Sequence, residues 1–362
     1  MTSTAITLGQ ARWTRAQRRG RGFVWLCAAI GFLAVLASVG LGAADAGVGD
    51  LATWLGVQLH LFDRAVLSPT TDLVLQIRLP RSLAAASVGA SLGLSGAVVQ
   101  GLFRNPLADP GLLGVSAGAA LGAVATIVLG GGLIAWLPGL AGQLVLPLAA
   151  FAGGLIATGL VCRIAALRPD LGIAAILLAG IAINAVAMAG IGGFVFVSDD
   201  SQLRSLNFWM LGSVASSTWT TTLPAVAMMA LPLILLPRLT RSLNLLAVGE
   251  RESAHLGVDV ERLKRRSIVL VAMCVGAGVA ISGMIGFVGL VVPHLVRLAV
   301  GPDHRLVLPC SALLGAALLS GADVIARLVI VPAELPIGLV TSAVGGPFFI
   351  WLLVRRRRGA GV

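Results

Sequence analysis

Three groups of residues in this sequence have types and spacings that could do chemistry. Asp323 and Arg327 stand one helical turn apart inside an apolar stretch, where an acid and a base on one helix meet. A lone carboxylate at that depth would suit a proton- or sodium-coupled carrier, and one neutralised by Arg327 would be structural. Asn184 lies midway along another apolar stretch and needs a polar partner or a wet cavity. The third group is Arg104-Asn-Pro-Leu-Ala-Asp-Pro-Gly-Leu-Leu-Gly114, a polar turn between glycine-rich apolar segments. Pro106 and Pro110 cannot donate backbone hydrogen bonds and push the residues before them out of helical geometry. A helix entering at Leu102 must stop, and the next can begin only near Gly111. In so hydrophobic a chain the break is either a surface loop or an interruption lining a cavity, and both imply a transport pathway.

Other chemistries find little support. His60, His255, His294 and His304 are dispersed among loops and turn ends, with no spacing that would hold a metal. Cys27, Cys162, Cys274 and Cys310 sit far apart in apolar segments, where cysteine acts as a small hydrophobe. No metal site and no cofactor bound by this chain is expected. Lys264, the only lysine, follows Leu263, so there is no Gly-Lys phosphate loop and any ATP and magnesium must belong to another chain. Met188, Met210 and Met284 could approach a pathway, although methionine on a membrane helix usually packs. An ATP-driven permease subunit, a secondary transporter and a membrane enzyme stay open, the last weakened by the scattered histidines.

The elements that must position these residues follow from composition. The chain is 57% hydrophobic and only 11% charged, against about 25% charged for soluble domains. Apolar stretches of about 20 residues, each able to cross a bilayer core of about 30 Å, recur throughout. We expect an all-α polytopic membrane protein forming one transmembrane domain over 1–362. About ten spans are predicted, at 23–42, 82–103, 112–129, 143–166, 172–196, 222–240, 267–285, 287–300, 306–328 and 337–354. The first lacks a cleavage site and reads as a retained helix. The net charge of +11 comes from arginines between the spans, which reads as a topology signal rather than a nucleic-acid surface. Arg12 to Arg21, Arg104, Arg163, Arg168, the cluster from Arg238 to Arg266, Arg297, Arg305 and Arg355 to Arg358 all fall on one side. The positive-inside rule makes that side cytoplasmic, together with both termini, the segments 1–22 and 355–362, and the 241–266 loop.

Arg78, Arg81 and Arg327, the last before Pro332-Ala-Glu-Leu-Pro336, fall on the outer side. They either snorkel to headgroups or pair with carboxylates of an external protein. At a constant offset, Arg78, Ala85, Val88, Gly89, Ala90, Ser95, Gly96 and Pro106 reappear as Arg265, Ala272, Val275, Gly276, Ala277, Ser282, Gly283 and Pro293. An odd number of spans between the copies predicts an inverted repeat, the plan that places a pathway between two halves. The repeat equates the first proline turn with Val292-Pro-His294. From Asn244 to Gly257 apolar residues recur at 245, 246, 248, 254 and 256. A short amphipathic helix flanked by Gly249 and Gly257 would lie on lipid or, given Glu250 and Glu252, face a protein partner. The fifth span carries a stripe of Ala185, Ala189 and Gly193, which serves close helix packing within the chain or self-association.

These residues resemble a known family. Arg78-Leu-Pro-Arg81, Ser95-Gly96, Gln100, Arg104 to Ser116, Gly118-Ala119, Leu178-Ala-Gly180, Trp209-Met-Leu-Gly212, Gly249-Glu250, Leu256-Gly257, Gly286 to His294, Arg297, Asp303-His-Arg305 and Glu334 to Gly338 are similar to FecCD-type permeases of binding-protein-dependent ABC importers. The resemblance runs in order from about residue 70 to the C-terminus. It implies a homodimer of ten-helix subunits in a bacterial inner membrane, with two ATPase subunits inside and a periplasmic substrate-binding protein outside. Family cargoes are haem, iron–siderophore complexes and cobalamin. The stretch ending Gly111-Leu-Leu-Gly114 is most similar to haem permeases. By position, Arg78, Arg81 and Arg327 would receive the binding protein. Leu246, Gly249, Glu250, Ala254, Leu256 and Gly257 would form the coupling segment for the ATPase. Asn105 and Leu107 would stand at the cytoplasmic gate beside Ile173 and Ala174, where cobalamin permeases tend to carry small hydroxyl residues. Gly180, Asn184, Ala185, Ala189 and Gly193 would form the pathway and dimer face.

Overall fold

In hydrocarbon every backbone N–H and C=O must be paired within its own segment, so long apolar runs with few breakers fold as helices. The computed structural model describes residues 2–42, 47–135, 139–331 and 333–358. Its helices are α1 (Thr2–Gly40), α2 (Val48–Gln58), α3 (Thr70–Leu73), α4 (Leu79–Leu102), α5 (Val115–Ala135), α6 (Leu140–Ala166), α7 (Ile173–Val197), α8 (Asp200–Leu211), α9 (Trp219–Leu235), α10 (Thr240–Leu246), α11 (Glu250–His255), α12 (Val260–Ser282), α13 (Val288–Val300), α14 (His304–Leu328) and α15 (Ile337–Arg358). A wide π-turn over Val74–Arg78 joins α3 to α4. No strand occurs among the described residues.

Every predicted span has a helix, but length does not give ten crossings. Among the described residues, 7 helices are long and apolar enough to cross a membrane, and Val115–Gly130, Val288–Val300 and Ile337–Trp351 are shorter apolar helices. At about 1.5 Å per residue, α13 rises roughly 20 Å. Helices also occupy segments expected as connections, α2, α8 and α10, and α11 is the short amphipathic helix expected after Gly249. The 241–266 loop is largely helical, and Lys264, Arg265 and Arg266 belong to α12. The side chains of Arg12, Arg15, Arg18, Arg19 and Arg355 to Arg358 lie outside the described residues, as do Met1, Pro332 and residues 359–362.

The core is built around α4. In its span, 78% of the residues are buried, against 28% in the spans of α6, α7 and α9. Those three therefore present most of their apolar surface outward. Small residues let α4 touch its neighbours backbone to backbone. Gly89 faces Gly315 and Gly93 faces Ser311, so α4 and α14 run antiparallel. A side chain at Gly96 would collide with the backbone of Gly289. Val88 meets Gly278 and Cys274 lies beside Ser91 and Ser95, so α12 is antiparallel to α4, as an inverted repeat requires.

The two copies break their helices differently. In the first, α4 ends at Leu102, Arg104 adopts φ 50°, and a short 3-10 turn over Pro110–Leu113 precedes α5. In the second, the break falls at Gly283–Phe287, where Gly283 has φ 66° and Phe287 φ 68°. Pro293 is a buried residue inside α13, so the expected match of Val292-Pro-His294 to the first proline turn does not hold. A helical proline frees the carbonyl four residues earlier. That carbonyl, Gly289 O, accepts Gln100 Nε2 at 3.3 Å, so a side chain from α4 replaces the lost helical bond.

Candidate functional site

The proline turn closes on itself and leans on α7. Asn105 Oδ1 accepts Leu107 N at 3.0 Å, and Asp109 Oδ1 accepts Gly111 N at 2.8 Å. Asn105 is exposed and Leu107 is 37% exposed. Ile173 and Ala174 open α7 directly after Gly172, half-buried and exposed respectively. On the turn's other side, Asn184 Nδ2 donates to Gly111 O at 3.2 Å, and Gly180 packs against the Leu112 carbonyl. Of these two residues, expected on the pathway and dimer face, Gly180 is a buried contact with the turn, whereas Asn184 is half-buried and also lines a cavity beside it. Ala185, Ala189 and Gly193 are exposed, and a side chain at Gly193 would meet nothing within 4 Å. The stripe of Ala185, Ala189 and Gly193 therefore faces away from the fold, while Gly180 and Asn184 hold the turn.

Where the two helix breaks approach each other there is a cavity of about 340 Å³ lined by Asp109, Ser116, Asn184, Met188, Met284 and Ile285, among others. Met188 and Met284 reach this cavity, and Met210 packs in a separate cluster around Ile191 and Leu206. Burial pushes the Asp109 carboxyl up, and its bond from Gly111 N opposes the shift only in part. Asp109 and Ser116 went unnoticed in the sequence as cavity groups; the second break, Gly283–Phe287, was the signal that could have found them.

At the opposite end of α4 the three outer arginines form an internal network, not an open cationic patch. Asp323 is fully buried. Arg81 Nε meets its Oδ1 at 2.9 Å, and Arg327 Nη2 stands 3.0 Å from its Oδ2, an ion pair rather than an aligned hydrogen bond. Arg81 Nη1 also binds Glu334 Oε1 at 2.9 Å. Arg327 donates to Ser38 O at 2.8 Å, and Arg78 donates to Val39 O at 3.0 Å. All three arginines are under 9% exposed. Arg78, Arg81 and Arg327, expected to receive an external protein, are thus engaged within this chain: a buried carboxylate needs close cations, and α14 supplies that carboxylate. The expected Asp323–Arg327 pairing is present, so Asp323 is no free proton-carrying group.

At the other end of α4, the short helix expected between Gly249 and Gly257 is present as α11, and a turn separates it from α10, which carries Leu246. Leu246 is fully buried in the core, and Gly249 is a buried turn residue with φ 144°. Glu250 is held by Lys264 Nζ at 2.9 Å, and Glu261 holds the same ammonium at 3.0 Å. Leu246, Gly249 and Glu250 therefore anchor the segment rather than present it. Ala254, Leu256 and Gly257 are exposed, Leu256 by 61%, as is Val248, another of the segment's recurring apolar positions, by 67%.

These elements have counterparts among known proteins. Residues 30–355 match the FecCD transport family. The chain belongs to that family. It is 44% identical over 330 residues to the hemin transport system permease protein HmuU of Yersinia pestis, covering 91% of this chain and 96% of that protein. It is 42% identical over 344 residues to the vitamin B12 import system permease protein BtuC of Salmonella schwarzengrund, covering 94% and 98%. A solved metal-chelate type ABC transporter in an inward-facing conformation superposes with a TM-score of 0.77 at 31% identity, covering 92% of this chain and 99% of that one. This FecCD chain is thus a polytopic membrane permease of the ABC-importer kind.

Proposed function

We propose that the chain is the permease subunit of a haem importer, moving haem inward across a bacterial inner membrane by alternating access. The observation that carries the cargo is its 44% identity with the hemin permease over nearly its whole length. The turn Arg104 to Gly114, with its Gly-Leu-Leu-Gly exit, supports the same reading. In this proposal two copies pair through the outward small-residue face of α7 (Ala185, Ala189 and Gly193), with the pathway between them. Two ATPase subunits seat on Val248, Ala254, Leu256 and Gly257. A substrate-binding protein docks on the opposite face, and both termini are cytoplasmic. Asn105, Leu107, Ile173 and Ala174 form the inner gate, and ATP with magnesium is bound and hydrolysed only by the ATPase chains.

Reconstitution of the permease with its ATPase and binding protein in liposomes tests the proposal. ATP-dependent accumulation of haem is expected. The 42% identity with the vitamin B12 permease and the metal-chelate structural neighbour make cobalamin and ferric siderophores the second reading. Accumulation of either without haem overturns the cargo, and uptake driven by a proton gradient with no ATPase present overturns the mechanism.

A further inference from the structure

The last turn of α4, just before the proline turn, is the meeting point of the polar contacts at the inner end of the fold. Arg297 of α13 binds Gln100 Oε1 and donates to Ala97 O at 3.3 Å. Gln100 O accepts Asn105 N at 3.1 Å. From the other side, His304 at the start of α14 presses its Nε2 edge onto Gly101, where even a methyl group would collide with the ring. His304 is only 5% exposed, and its Nε2 is buried without a hydrogen-bond partner.

What holds that ring is a single side chain of α10. Asn244 Oδ1 accepts the His304 backbone N–H at 2.9 Å and lies 2.8 Å from Nδ1. Asn244 Nδ2 donates to Asp303 Oδ1 at 2.7 Å. An amide oxygen can only accept, so Nδ1 carries the proton and Nε2 carries none. Flipping the amide would set donor against donor at His304. Farther out, α10 is tied to α11: Ser253 Oγ donates to Leu245 O at 2.9 Å and also binds Gly249 O. Contacts thus run without a gap from the buried Ser253 of α11, through Leu245 and Asn244, to His304, Gly101 and the turn carrying Asn105 and Leu107.

We infer that Asn244 is a positioning residue whose clamp on Asp303 and His304 carries displacement of α11 to the end of α4 and so to the proline turn. The inference rests on the ATPase seating proposed above. A rigid ring between two helices transmits movement because packed side chains shift between discrete arrangements rather than deform continuously. Asn244 touches neither cargo nor ATPase in this scheme.

The test uses the whole importer in liposomes, with ATP hydrolysis and haem uptake read on the same vesicles. Asn244→Ala removes the clamp. His304→Phe keeps a ring against Gly101 and the backbone bond to Asn244 but loses the Nδ1 bond that fixes the ring, so one variant remains if the other fails to assemble. Hydrolysis should stay within about twofold of wild type while haem carried per ATP falls about tenfold. The double variant should be no worse than either single one, because both changes cut one link. An unchanged ratio in an assembled variant, a proportional fall of both rates, or losses that multiply in the double variant overturns the inference. If the wild-type complex carries no haem, cobalamin or ferric siderophore with ATP, the proposed function fails first and the inference falls with it.

Discussion

Arg81 offers the sharpest quantitative test of the fold. Its guanidinium reaches Asp323 and Glu334, each at 2.9 Å, and the two carboxylates differ in setting. The Asp323 side chain is fully buried, whereas that of Glu334 is 42% exposed. A charge pair near 3 Å is worth about 5 to 6 kcal/mol at an effective dielectric of about 20, before desolvation is subtracted. What a truncation measures is the buried charge left behind, typically about 3 to 5 kcal/mol. Arg327 remains 3.0 Å from the other oxygen of Asp323, so Arg81→Ala should fall at the low end, about 3 kcal/mol. Glu334→Gln loses a half-exposed pair and should cost less than about 1 kcal/mol. Replacing both buried partners, Arg81→Met with Asp323→Leu, should cost less than the two single changes added, because the pairing between them is then lost only once, even though Arg327 is left without its carboxylate. Reversible SDS titration of the purified protein, followed by tryptophan fluorescence, reads all five variants, the single changes Arg81→Met and Asp323→Leu included. If Arg81→Ala cost no more than Glu334→Gln, the buried network would not be what secures the outer end of α4.

Ala189→Trp on the outward face of α7 should turn the proposed dimer into monomers on size exclusion while changing monomer stability by no more than about 0.5 kcal/mol; a dimer that persists would move the interface elsewhere. Asp50 is held below the usual carboxylate range by hydrogen bonds from Thr70 first and then Gly47 N. A depressed carboxyl stabilises the fold above its unfolded pKa and loses that contribution as pH falls through the folded value. Amide-exchange protection of α2 and α3 should therefore hold from neutral pH down to about 4 and decline below it, and Asp50→Asn should abolish the decline.

Much of the fold was legible without coordinates, because the bilayer leaves the backbone so few choices. Apolar length marked where helices stand, and arginine placement proposed which ends share a side. Two prolines set the stop at Leu102 and the restart near Gly111. The spacing of Asp323 and Arg327 announced their ion pair. The repeat correctly implied antiparallel copies, yet it misplaced the second break, because a proline inside a helix and a proline at its end look alike in sequence. Only the fold shows Gln100 taking the carbonyl that Pro293 leaves free.

The functional residues divide in the same way. Sequence alone determined the class of protein, the absence of a phosphate loop and the segments around which a transport site must be built, since these depend on composition and local order. Tertiary structure decided which face each residue shows. It turned the outer arginines inward onto a carboxylate from α14, distant in the chain, and set Gly180 and Asn184 against the turn. It also buried Leu246 while leaving Val248 and Leu256 outside. The physical reason is common to all of these: a helix offers every side, and only its neighbours determine which side is covered.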